Sequence, residues 1–210
     1  MDRDDNGVYQ ADFRAILDRS DEVYALIEQK YPCLEGPAIR AKGVFFSRIM
    51  SYLDFTGFFF PFTAEANVNT DMTSVYFAST VAHELAHQRG VAKEQEANFA
   101  AVLASLEYGD ADYCYSSCIL AYTHLGNALY DADRARWEKI YGGLSGPVLK
   151  DLKANREYWA RFDTPVQKAS NTVYENFLYS YDQDLGLKSY GACVDLLVNY
   201  YYPLLQEKVA

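Results

Sequence analysis

Apolar residues fall at Val8, Phe13, Ile16, Leu17, Val23, Tyr24 and Ile27, a helical spacing that predicts one amphipathic helix over residues 8–31, ended by Pro32. Residues 33–43, with Gly36, Pro37 and Gly43, read as a loop. The pattern changes at residues 55–69. There Phe55-Thr56-Gly57-Phe58-Phe59-Phe60-Pro61-Phe62-Thr63 is aromatic and rich in β-formers, and Glu65-Ala66-Asn67-Val68-Asn69 follows. This predicts a strand or hairpin, with Pro61 at an edge or bulge. From Ser74 the helical period returns. It predicts helices from Ser74 or Val75 to about Arg89, Ala92 to Tyr108, Ala111 to Tyr130 and Asp133 to Tyr141, with Gly90 as the first break. Gly142-Gly143 and Gly146-Pro147 punctuate the next stretch, and helical regions over residues 148–180 and 188–206 close the chain. The expected architecture is a single, mainly α domain over residues 1–210, with a small β-hairpin or edge strand ahead of the helix that begins at residue 74.

Half of the 210 residues are hydrophobic, enough to bury a core without covalent staples. The formal net charge of −10 sets the chain against phosphate backbones and anionic lipid, which excludes nucleic acid and a basic peripheral membrane anchor. The 19 tyrosines supply apolar area with a polar tip, suited to half-buried helix faces. Cys33, Cys114, Cys118 and Cys193 form no CxxC pair and are read as free thiols or one bridge. No apolar run is long enough to span a bilayer, and Met1-Asp2-Arg3-Asp4-Asp5 is not a signal peptide.

The candidate chemistry lies in Ala82-His83-Glu84-Leu85-Ala86-His87-Gln88-Arg89-Gly90. Residues four apart on a helix share a face, so His83 and His87 can grip one zinc ion. Glu84, one position after the first histidine, is placed to act on a water at the metal as general base, which is the logic of the H-E-x-x-H motif. Two of the chain's three histidines fall in this motif.

A zinc peptidase needs a third protein ligand and an open fourth position. The extension that would supply a third histidine six residues after His87 carries Lys93 there, and a protonated lysine cannot ligate zinc. The candidates are Glu94 and Glu96, with Gly90 allowing the chain to turn back into a new helix. The two glutamates stand about 200° apart around a helix, so one alone can face the metal. Glu94 has Asn98 four residues on, matching the gluzincin arrangement of a carboxylate ligand followed by a polar residue that supports a ligand histidine. Glu94 is therefore preferred, with Glu96 as the alternative.

The run from His83 through Glu94-Gln95-Glu96-Ala97-Asn98-Phe99, together with Phe60-Pro61-Phe62-Thr63-Ala64-Glu65-Ala66-Asn67-Val68-Asn69 and Gly186-Leu187-Lys188-Ser189-Tyr190-Gly191-Ala192-Cys193, resembles the bacterial DUF3810 family of zinc-peptidase-like proteins. The Glu94–Asn98 stretch separately resembles the second zinc motif of ImmA/IrrE-like peptidases. The resemblance implies a zincin-like fold with Zn2+ as cofactor and a peptide or protein substrate. It also implies transmembrane helices upstream, with this domain on the extracytoplasmic side of a bacterial membrane.

Other residues are weighed on their positions. Glu65, Asn67 and Asn69 are candidates to line a substrate cleft. His124, in a helical run, reads as a structural histidine with a catalytic role as the alternative. Tyr190 is a candidate donor to a developing oxyanion, with packing as the alternative. The expected function is a zinc-dependent peptidase with ligands His83, His87 and Glu94 and general base Glu84. The alternative is a zinc-containing binding module without catalysis, or a latent peptidase.

Overall fold

A computed structural model describes residues 1–165, 167–172 and 190–207, except the side chains of residues 190 and 191. The protein is mainly helical, with two small sheets.

The N-terminal third departs from the expected single helix. β1 (Asp2–Arg3) pairs antiparallel with β2 (Tyr9–Gln10), and α1 (Phe13–Asp18) follows, its first turn capped by Asp12, which accepts from the Ala15 amide. A 3-10 turn at Ser20–Glu22 then breaks the run before the short α2 (Ile27–Lys30). The apolar period is real: Ile16, Val23, Tyr24 and Ile27 are all buried in one core. Tertiary bonds overrule it as a helix signal. Ser20 is buried, donates to the Leu17 carbonyl and accepts from the Ala41 amide, and Asp151 takes the Tyr9 amide at 2.8 Å. The Asp151 carboxylate also accepts from both terminal guanidinium nitrogens of Arg3 at 3.0 Å and from the Tyr115 hydroxyl, so one buried acid holds the N-terminal hairpin against the helices.

The predicted hairpin forms. β3 (Lys42–Gly43) runs parallel to β5 (Glu65–Val68), and β4 (Gly57–Phe60) runs antiparallel to β5, giving the order β3-β5-β4. β4 is thus an edge strand among the described residues. Residues 44–54, to which the sequence reading assigned no element, include the short helix α3 (Ser47–Tyr52). Alternation along β5 buries Ala66 and Val68 and turns Glu65 and Asn67 to the other face.

Four helices stand close to their expected bounds: α4 (Ser74–Gln88), α5 (Glu94–Tyr108), α6 (Ala111–Ala132) and α7 (Arg134–Gly142). The helical region expected over residues 148–180 begins as α8 (Gly146–Ala160) but is interrupted at residues 161–164. The last helix is Tyr190–Glu207; the parts of the two closing regions at residues 173–189 lie outside the described residues. α4 sits at the centre, with α5 and α6 on one side and the sheet on another. Phe77, Val81 and Leu85 of α4 pack in one core with Ala66 and Val68 of β5 and Ala97, Ala101 and Tyr113 from α5 and α6. Each large apolar side chain fully buried there contributes about 1.5–3 kcal/mol. Among the described residues no helix is long and apolar enough to cross a membrane.

Candidate metal centre

α4 ends in a Schellman turn. The Gly90 amide donates to the His87 carbonyl and the Val91 amide to the Ala86 carbonyl, with Gly90 at φ +85°. That left-handed residue favours glycine and reverses the chain so that α5 starts beside the end of α4. The turn also brings the Val91 carbonyl within 2.7 Å of Nδ1 of His87. On α5, Asn98 places Oδ1 2.9 Å from Nδ1 of His83. Both imidazoles thus donate through Nδ1 and turn Nε2 the same way.

The two Nε2 atoms lie 3.0 Å apart, and the Glu94 carboxylate meets them, 3.1 Å from His83 Nε2 and 3.7 Å from His87 Nε2. One ligand atom from each of His83, His87 and Glu94 falls within 4.8 Å of the others, a grouping that can hold a metal ion. Two imidazole nitrogens and a carboxylate suit zinc, and the supporting bonds at Nδ1 are of the kind that fix imidazole tautomers at metal sites. With no ion, the groups neutralise one another. Burial opposes charge on His87, but the hydrogen bond to Glu94 and the charges of Glu84 and Glu94 outweigh it and push its pKa up to about 9. Burial likewise opposes charge on Glu94, yet bonds from the two histidines hold it well below the carboxylate range.

Glu84 faces the sheet instead. It is 4% exposed, and its Oε2 is buried without a hydrogen-bond partner among the described residues. Burial pushes its pKa up to about 7, against the pull of His83 and His87. Oε1 lies under Gly57, the first residue of β4: a Cβ built there would fall 2.5 Å from it. One turn on, Gln88 donates to the Ala64 carbonyl at 2.7 Å, in the turn between β4 and β5. Glu84 and Gln88 therefore hold β4 along α4 at both of its ends. Neither Gly57 nor Gln88 was singled out from sequence; a glycine inside an aromatic strand was the available signal of close backbone approach.

The remaining expected residues separate. Glu96 stands apart from the histidines, half-exposed and paired with Lys93 at 3.2 Å. His124, on α6, is 4% exposed; burial first and then the charge of nearby His83 bring its pKa down to about 4, so it is neutral. The structure does not bring Glu65, Asn67 or Asn69 to the histidines. Glu65 pairs with Lys42, and Asn67 bonds to the Glu65 carbonyl, both on the far face of the central strand. Asn69 is buried, its side-chain amide Nδ2 donating to Ser51 Oγ at 2.9 Å and to the Phe55 carbonyl at 3.0 Å, so it braces α3 against the hairpin. Tyr190 opens the last helix, and its side chain lies outside the described residues. All four cysteines are free thiols.

Fold and site together define a mainly helical protein with a His-His-Glu cluster on two consecutive helices. The chain belongs to the DUF3810 family, described as a protein of unknown function, whose pattern matches residues 2–198. No curated protein and no solved structure matches it.

Proposed function

We propose that this protein is a zinc-dependent peptidase with a zincin-like fold. The observation that carries the reading is the convergence of His83, His87 and Glu94, each histidine fixed at Nδ1, beside a buried glutamate whose Oε2 has no hydrogen-bond partner among the described residues. The cluster holds three ligands and no fourth among the described residues, which favours an open catalytic site over a closed structural one.

Zinc, when bound, supplies a Lewis acid that polarises the scissile carbonyl and makes water more acidic. The protein's own groups do the rest. Glu84, with its pKa raised to about 7, suits a base that accepts a proton from the attacking water and returns it to the leaving amine. Asn98 and the Val91 carbonyl keep the two imidazoles aimed while this happens. The edge of β4 runs from Glu84 and offers an extended peptide backbone groups to pair with. The family resemblance adds the expectation of an outward-facing domain beside a membrane, which fractionation of the natural protein tests.

The experiment is cleavage of a mixed peptide library by the zinc-loaded protein and its Glu84→Gln variant. Zinc-dependent cleavage that drops by about 10²–10⁴-fold in Glu84→Gln, with zinc retained, is the expected result. Equal cleavage by the two proteins would contradict the role of Glu84. Zinc binding with no cleavage of any library member would favour a binding module.

A further inference from the structure

β4 has a specific hydrogen-bonding register. The Asn69 amide donates to the Thr56 carbonyl at 2.8 Å, so Thr56 and Asn69 form a hydrogen-bonded pair. Antiparallel pairs alternate between hydrogen-bonded and non-hydrogen-bonded. Gly57, opposite Val68, and Phe59, opposite Ala66, are therefore the non-bonded positions toward β5. Their N–H and C=O groups point away from β5, to the edge that pairs with no strand among the described residues. A strand added antiparallel there would form hydrogen-bonded pairs with Gly57 and Phe59.

The same alternation sorts the side chains. Gly57 and Phe59 share the inner face with Val68 and Ala66, and Gly57 backs onto Glu84. Phe58 and Phe60 stand on the outer face, 39% and 43% exposed. Phe62, 89% exposed, continues that apolar surface with its ring centroid 5.6 Å from that of Phe60. In the added strand, the residue opposite Phe58 falls in a non-hydrogen-bonded pair, where opposing side chains come closest. The outer-face neighbours of Phe58 and Phe60 across β5 are Asn67 and Glu65, the latter neutralised by Lys42.

We propose that β4 selects extended peptides carrying large apolar side chains at two positions, one opposite Phe58 and the next but one opposite Phe60. Gly57 and Phe59 supply the backbone bonds, and Phe58 is the principal specificity-determining residue. This rests on the reading of the site as a peptidase. It adds the chemical class of the substrate: segments of alternating apolar character, as found in unfolded or β-forming chains, rather than charged or glycine-rich ones.

The test uses the zinc-loaded Glu84→Gln variant and two capped decapeptides, one alternating Ser and Leu, the other alternating Ser and Glu. Binding is followed by calorimetry and by amide hydrogen exchange. The Leu peptide is expected to bind more tightly and to slow exchange at Gly57 and Phe59. Phe58→Ser is expected to weaken it about fivefold, as one cross-strand pair would, and Phe58→Lys to shift preference toward the Glu peptide. Both replacements sit on an exposed surface and leave the core intact. Equal binding of the two peptides, binding of neither, discrimination unchanged by the Phe58 variants, or no protection at Gly57 and Phe59 would each overturn the proposal. Library cleavage by the unmutated protein judges the peptidase reading separately: cleavage without this preference would sink the selectivity and leave the catalytic assignment standing.

Discussion

Gly57 of β4 lies so close to Glu84 of α4 that a Cβ on the glycine would stand 2.5 Å from Oε1 and 2.7 Å from Cγ of the glutamate. Both elements meet the same core, the strand through the hairpin that carries Ala66 and Val68 and the helix through Val81 and Leu85.

Gly57→Ala is therefore expected to push the Glu84 carboxylate off its position while leaving His83, His87 and Glu94 in place. Displacement of a reacting group by about 1 Å can cost about a hundredfold in rate. The expected outcome is one zinc per chain with cleavage reduced by about that factor, measured by metal analysis and a peptide assay on the same preparation. Undiminished cleavage would show that Glu84 does not depend on the approach of this strand.

Much of this was legible in the sequence, for identifiable reasons. α4, α5 and α6 announce themselves by their apolar period, and Gly90, the expected break after α4, does adopt positive φ. His83 and His87 were legible because spacing of four on a helix fixes a shared face. Glu94 is preferred to Glu96 from sequence because Asn98 stands four residues on, and Asn98 does lie 2.9 Å from Nδ1 of His83, while the turn at Gly90 also supplies the Val91 carbonyl to His87. Residues 8–31 misled because their periodicity reports burial, and Ile16, Tyr24 and Ile27 are buried without one continuous helix. The bonds that break the run, Ser20 to Ala41 and Asp151 to Tyr9, join residues 21 and 142 positions apart. No local pattern carries them.

Asn98 supports His83 from α5, and its removal separates support from ligation. Asn98→Ala is expected to lower zinc affinity by about 10–100-fold, as loss of a partner behind a metal ligand does, with little change in overall stability. Zinc titration against a chelator of known affinity measures it. An unchanged affinity would mean that His83 is held by its packing alone.

The tyrosine-rich interior gives a pH dependence of stability. Burial first, with the hydrogen bonds to Asp151 and Asp71 adding to it, pushes Tyr115 and Tyr158 up to about 12, and burial does the same for Tyr201. Fully buried Tyr24 is raised as well. An unfolded tyrosine titrates near pH 10. A folded pKa above the unfolded one gives a contribution that is complete below about pH 10 and is lost as the pH rises toward about 12. Denaturant midpoints are expected to fall across that window, with tyrosinate absorbance from these residues rising together with unfolding. A full tyrosinate signal near pH 10 from protein that is still folded would contradict the burial argument.

The central claim is that His83, His87 and Glu94 form one zinc site and that Glu96, paired instead with Lys93, is outside it. The direct measurement is the zinc affinity of the chelator-stripped protein beside its Glu94→Gln and Glu96→Gln variants. One zinc per chain is expected in the unmodified protein, with a loss of affinity in Glu94→Gln beyond the about 10–100-fold of a supporting residue. Glu96→Gln is expected to bind as the unmodified protein does. Failure of the unmodified protein to hold zinc, or a loss in Glu96→Gln with Glu94→Gln unaffected, would contradict it.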